Sequence, residues 1–122
     1  MKLAVISDIH SNIHNLNLVL QAIDKHNVDK IICLGDVVGY GPRPADTLRA
    51  VQQEARCIIL GNHEAAIAGM FDVSCFTEGA QRLIAWTDEH LNRSEVDAFA
   101  SLPLSVDIDC GDFRAVATHG AM

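Results

Sequence analysis

Four short groups bring residues able to bind a metal or move a proton to predicted strand ends: Asp8-Ile9-His10, Gly35-Asp36, Gly61-Asn62-His63-Glu64 and His119. Each has an ordinary reading when taken alone. Asp8 can cap the turn that follows it, Gly-Asp and Gly-Asn pairs are common turn chemistry, and His119 can be a satisfied histidine at a strand end. Taken together, Asp, His, Asp, Asn and His are oxygen and nitrogen donors suited to first-row divalent cations. Side chains two apart in extended backbone point the same way, so Asp8 and His10 can address one cation. A carboxylate such as Asp36 can bridge two. Two cations ~3.5–4 Å apart can clamp a phosphate and lower the pKa of a shared water, whose hydroxide then attacks phosphorus in line. His63 is placed to stabilise the charged transition state or to protonate the departing oxygen. Gly35 and Gly61 let the backbone come close to the metals.

The chemistry requires these groups to share one edge, and the hydrophobic pattern predicts elements that do this. Lys2–Ile6 reads as a buried strand. Ile13, Leu16, Leu20 and Ile23 recur at helical spacing behind Asn12 as N-cap, predicting a helix over 13–26. Lys30–Leu34 is a second strand, Pro44 to Glu54 a second helix, and Cys57–Leu60 a third strand. A short helix follows over Glu64–Gly69. A longer one covers Thr77–Leu91, with Ala80, Leu83, Ile84, Thr87 and Leu91 on one face. Ser94 is read as the cap of a further helix to Leu102. Leu104–Cys110 and Phe113–Thr118 form a hairpin around Gly111-Asp112. Strand–helix–strand–helix–strand argues for a parallel sheet, and ligands of such sheets lie beyond the carboxyl ends of the strands. Every predicted parallel strand, and then the last strand, delivers one of the four groups there.

Length and composition bound the rest. The chain has 122 residues, which suggests one domain over 1–122, and 49% of them are hydrophobic, which excludes disorder as the main state. The net charge of −7 argues against binding a nucleic-acid backbone through surface charge. Neither a signal-peptide core nor a membrane span is present, so a cytoplasmic location is expected. Cys33, Cys57, Cys75 and Cys110 form no C-x-x-C pair and are read as small hydrophobes. His14, His26, His90, Asp107 and Asp109 are assigned to solvated faces and Trp86 to packing. Arg43 lies in the glycine-rich loop after Asp36 and is a candidate contact for a substrate phosphate. No G-x-G-x-x-G follows the first strand, and neither a P-loop nor a serine elbow occurs.

Three segments carry a family resemblance: Ser7-Asp8-Ile9-His10-Ser11-Asn12, Leu34-Gly35-Asp36-Val37-Val38-Gly39-Tyr40-Gly41-Pro42 and Leu60-Gly61-Asn62-His63-Glu64. In this order and spacing they resemble the calcineurin-like metallophosphoesterases, most closely the small bacterial and archaeal phosphodiesterase branch. The resemblance implies an α/β fold: the N-terminal part of a two-sheet sandwich flanked by helices, with a mostly parallel first sheet and a C-terminal hairpin. It implies Asp8 and His10 on a first metal, Asp36 bridging, Asn62 and His119 on a second, and His63 as the catalytic histidine at the scissile phosphate, with Asn62 also touching substrate. Donor types do not separate manganese, iron, zinc, nickel and cobalt; manganese is the first expectation. The implied activity is hydrolysis of a phosphodiester or small phosphomonoester by a metal-bridging hydroxide.

The sequence departs from the family in one respect. A later Gly-His-x-His motif, which gives one histidine to each metal, does not occur before Met122. Two expectations follow. The chain is the front part of the domain, with an apolar sheet face left for self-association, such as a homodimer. The alternative to the enzyme reading is a catalytically impaired remnant, serving at most to bind metal or a partner.

Overall fold

The computed structural model describes residues 1–120; Ala121 and Met122, the last two of the single domain expected over 1–122, lie outside the described residues. Strands β1 (Leu3–Ile6), β2 (Lys30–Cys33) and β3 (Cys57–Ile58) form a parallel sheet in the order β1-β2-β3. Leu3 pairs with Lys30 and Ile6 with Cys33, while Ile32 pairs with Cys57 and Cys33 with Ile58. Helices α1 (Ile13–Asp24) and α2 (Pro44–Glu54) make the two crossovers. Asn12 caps α1 by accepting the Asn15 N–H at 3.1 Å. Pro44 opens α2, where its missing N–H costs nothing.

β3 is shorter than the predicted Cys57–Leu60, for a reason outside its own sequence. Ile59 N still donates to Cys33 O at 2.9 Å, but Leu60 N turns away to Pro103 O at 2.8 Å. The strand is drawn out of the ladder by a segment forty residues downstream.

The second half supplies the covers. Helix α3 (Asn62–Ile67) begins two residues before the predicted start at Glu64. A 3-10 turn at Val73–Cys75 leads to α4 (Glu78–Glu89), capped by Thr77. Ala80, Ile84, Thr87 and Leu91 are buried, as their spacing predicts. Leu83 is 39% exposed rather than buried, and Trp86 lies outside the stripe, stacked on His90 at 3.8 Å between ring centroids.

Helix α5 (Arg93–Phe99) is capped by Asn92 rather than Ser94. The Asn92 carboxamide oxygen accepts the Glu95 N–H at 2.8 Å, and Glu95 returns the bond to the Asn92 N–H at 2.9 Å. Ser94 only donates its hydroxyl to that same oxygen. Asn92→Ala should therefore lower the free energy of unfolding by about 1 kcal/mol in urea titrations, and Ser94→Ala by less.

Strands β4 (Ser105–Asp109) and β5 (Arg114–Thr118) form the expected antiparallel hairpin, Ser105 opposite Thr118 and Asp109 opposite Arg114. It lies on one face of the parallel sheet while the helices cover the other. The alternation along β2 separates the two cores. Cys33 joins Leu16, Val38, Leu48, Val51 and Phe99 on the helical side. Ile32 joins Ile108 and Cys110 on the hairpin side.

All four cysteines are free thiols. Cys33 and Cys110 are buried and Cys57 half-buried, but Cys75 is exposed in the 3-10 turn, against the small-hydrophobe reading. Burial pushes the Cys33 thiol up to about 11. Val5 on β1 (57% exposed) and Val116 on β5 (69%) leave apolar surface at the sheets. No helix among the described residues is long and apolar enough to cross a membrane.

Candidate metal centre

The loops that leave β1 and β2 run side by side beyond the strand ends. Asp8 N donates to Gly35 O, His10 N to Asp36 O and Ser11 N to Val37 O, at 2.8–3.0 Å. This lacing is bought with backbone strain. Asp8 (φ 57°), His10 (50°), Ser11 (61°), Asp36 (54°) and Tyr40 (63°) all occupy the left-handed region. Each such non-glycine residue costs roughly 1–3 kcal/mol, and clusters of them mark functional sites.

Asp36 is the hub. It is 3% exposed. One carboxylate oxygen, Oδ1, accepts the His63 N–H at 3.0 Å. The other, Oδ2, lies 3.3 Å from His119 Nε2 and 3.9 Å from His10 Nε2. Asp8 reaches the same patch, with Oδ1 3.4 Å from His10 Nε2. Its Oδ2 accepts the Ser7 hydroxyl at 2.6 Å. Partial burial works against the Asp8 charge, but Ser7, His119 and His10 outweigh it and hold the carboxyl below its ordinary value.

Two of the histidines are aimed by backbone carbonyls. His119 Nδ1 bonds Leu34 O at 2.7 Å, and His10 Nδ1 lies 3.3 Å from Val38 O. An imidazole that donates from Nδ1 keeps its lone pair on Nε2, and in both rings Nε2 is the atom facing the carboxylates. His63 differs. It is 2% exposed, and its Nδ1 has no hydrogen-bond partner among the described residues. Burial lowers its pKa against the opposing pull of Asp36.

The Asn62 amide meets this centre in either of two orientations. With Oδ1 inward it lies 3.0 Å from His119 Nε2. Amide oxygen, imidazole lone pair and Asp36 carboxylate are then all acceptors, an arrangement that a cation among them reconciles. Turned over, the amide donates to Asp36 Oδ2 at 2.9 Å and to His119 Nε2 at 3.0 Å. Ligand atoms of Asp8, Asp36 and His119 lie within 4.8 Å of one another, and so do those of His10, Asp36 and His63. The chemistry of this donor set fits divalent cations, and Asp36 belongs to both triads. The two groups overlap at Asp36, and Asp8 also approaches His10, so proximity alone does not divide the donors between two cations.

Arg43, the candidate phosphate contact, is exposed and directs its guanidinium to Asp46 on the first turn of α2. Its backbone N–H donates to Ser11 O at 3.2 Å. His14, His26 and His90 are exposed, as expected.

One participant is not apparent from the donor pattern. Glu64 is completely buried, and its carboxylate accepts three backbone N–H groups: Asp36 at 2.7 Å, Val38 at 3.2 Å and Gly61 at 3.3 Å. It clamps the loop after β2 to the turn that enters α3. Burial and the Asp36 charge push the carboxyl up to about 7, while the three donors pull the other way. Its position three residues after Gly61, where a capping-box glutamate returns to the N-cap N–H, is the available sequence signal.

Gly61 is required by close approach. A Cβ there would fall inside contact distance of the Asp36 amide and carboxylate and 2.8 Å from Glu64 Oε1. Its φ of −90° suits any residue, so the constraint is purely steric. Gly61→Ala should cost about 3 kcal/mol and weaken manganese binding, measurable by thermal unfolding and calorimetric titration.

Beside Asn62 and His119 a cleft of about 440 Å³ opens, walled by Leu60, Ala65, Met70, Phe71 and Leu104. The donor centre therefore has an apolar neighbour on one side.

Comparison with known proteins agrees with this architecture. The family model of the calcineurin-like phosphoesterases matches residues 1–121. The chain belongs to that family. An uncharacterized protein of Methanocaldococcus jannaschii is 32% identical over 117 residues, 96% of this chain and 48% of its own. The crystal structure of a metallophosphoesterase from Sphaerobacter thermophilus is 37% identical, with a TM-score of 0.72 over 93% of this chain and 45% of that one. A hypothetical protein from Pyrococcus horikoshii OT3 shares the fold at a TM-score of 0.83 and 20% identity, over 94% and 53%. The chain spans about half the length of these relatives.

Proposed function

We propose that the centre on Asp36 hydrolyses phosphoesters with two divalent cations, manganese first among them. The observation that carries this reading is one buried carboxylate, Asp36, with donor atoms of Asp8, His10 and His119 gathered around it. When bound, such cations would supply Lewis acidity toward a phosphoryl oxygen and a nucleophile at neutral pH. Asp36 would bridge them. His10 and His119 present Nε2 lone pairs already oriented by Val38 and Leu34 carbonyls, so little freedom is lost on binding. Asp8 and the Asn62 oxygen complete the donors.

His63 is left for the substrate. Its Nδ1 abuts Gly39, so Nε2 is the nitrogen available to donate to a phosphoryl or departing oxygen. Asn62 stands beside it on the first turn of α3. The cleft walled by Met70 and Phe71 takes the ester group, which favours a small phosphoester with an apolar portion over a purely polar one. Arg43 reaches a phosphate only by leaving Asp46. The apolar residues exposed at β1 and β5 are the surface for the expected self-association.

The test is hydrolysis of bis(4-nitrophenyl) phosphate by the purified chain. Turnover that requires manganese, stops on chelation and returns on reloading is the expected result. Equal rates with and without the metal would contradict the reading.

A further inference from the structure

We propose that Tyr40 is a positioning residue for His63, holding the imidazole by ring packing where a hydrogen bond is missing. The inference rests on the catalytic reading of His63 given above. The three histidines of the centre are held in two different ways. His10 and His119 are each fixed through Nδ1 by a backbone carbonyl. The buried His63 has its backbone tied to Asp36, but its Nδ1 is unpartnered among the described residues. Rotation of the ring about its own bond is therefore opposed by packing alone.

Three aromatic rings make that packing. The Tyr40 ring lies 4.5 Å from the His63 ring at 67°, His10 lies at 4.9 Å and 62°, and Phe76 at 5.6 Å and 77°. Edge-to-face pairs at these separations have a preferred geometry beyond simple contact. Gly39 also lies against the ring, since a Cβ there would run into it. Tyr40 also touches His10, at 5.1 Å, and so spans the metal-facing and substrate-facing histidines.

Two features separate this role from ordinary core packing. Tyr40 is 47% exposed, so it is not a core residue. It also holds a φ of 63°, where glycine would sit without strain. A bulky side chain kept at a strained and exposed position points to a task for the ring itself. The ring, not the hydroxyl, meets the histidines, so phenylalanine should substitute.

The test compares the parent chain with Tyr40→Phe, Tyr40→Leu and Tyr40→Gly. The last relaxes the backbone and so removes strain as a cause of misfolding. In the metal-free protein, nuclear Overhauser contacts between His63 and Phe76 ring protons should persist in Tyr40→Phe and be lost in Tyr40→Leu and Tyr40→Gly. The His119 ring, fixed by Leu34, should be unaffected in all three. In the manganese-loaded chain, Tyr40→Leu should lower kcat about 100-fold with KM little changed, the signature of a reacting group displaced by about 1 Å. Tyr40→Phe should restore it to within a few-fold. Unchanged His63–Phe76 contacts in both Tyr40→Leu and Tyr40→Gly would overturn the proposal. So would a fall in kcat that Tyr40→Phe fails to rescue. If the parent chain shows no manganese-dependent turnover, the catalytic reading fails, and the contacts in the metal-free protein still decide whether Tyr40 orients the ring.

Discussion

Asp36→Asn should fold as the parent chain does and lose about 10³-fold of its manganese-dependent turnover. The two halves of this expectation come from different atoms of one side chain. Oδ1 accepts the His63 N–H, a duty the asparagine oxygen can keep. Oδ2 faces His119 and His10 and has no such substitute. An amide nitrogen there presents N–H groups where a cation needs a lone pair, and the bridging charge is gone. Of the surrounding fold only the Asn62 side chain, in one of its two orientations, bonds the lost oxygen, and the Asp36 backbone N–H stays held by Glu64. Thermal unfolding of the two metal-free proteins should therefore coincide to within about 1 kcal/mol, while hydrolysis assays separate them. Parent-level turnover in the variant would remove Asp36 from the mechanism.

The largest effect on stability is expected at Glu64, which bears no predicted catalytic role. Glu64→Ala would strand the N–H groups of Asp36, Val38 and Gly61 in a fully buried position. A buried donor left without a partner costs about 1–3 kcal/mol, and here three are released together. A loss of roughly 4 kcal/mol or more is expected, seen as a lower urea midpoint. Glu64→Gln keeps one carboxamide oxygen and should fall between the parent and Glu64→Ala. The same substitutions should weaken manganese binding, because the clamp joins the Asp36 loop to the turn bearing Asn62 and His63. If Glu64→Ala unfolded at the parent's midpoint, these hydrogen bonds would not hold the loops together.

How much of this was legible in the sequence depends on how local each feature is. The helix over Pro44 to Glu54 and the hairpin turn at Gly111-Asp112 rest on nearby residues, and the structure reproduces both. The convergence of Asp8, His10, Asp36, Asn62, His63 and His119 was legible because a parallel sheet sends successive strand ends to one edge. The end of β3 was not, since the Pro103 carbonyl that diverts Leu60 is distant in sequence. Asn92 and Ser94 are both good caps two residues apart. Glu95, three places after Asn92, decides between them by closing the capping box. The clamp by Glu64 depends on contacts with residues 26 and 28 positions earlier. The left-handed backbone at Asp8, His10, Ser11, Asp36 and Tyr40 leaves only a weak mark in residue type: Asp and His tolerate it better than most, but none of the five is glycine. Strain of that kind is maintained by the loops around it, and a linear pattern records little of it.

The central claim is that one shared carboxylate organises a centre for two cations. Manganese bound per chain, counted after equilibrium dialysis, tests it most directly. Roughly two ions per chain in the parent, and fewer in Asp36→Asn, is the predicted result. One ion or none in the parent, or the same count in both proteins, would contradict it.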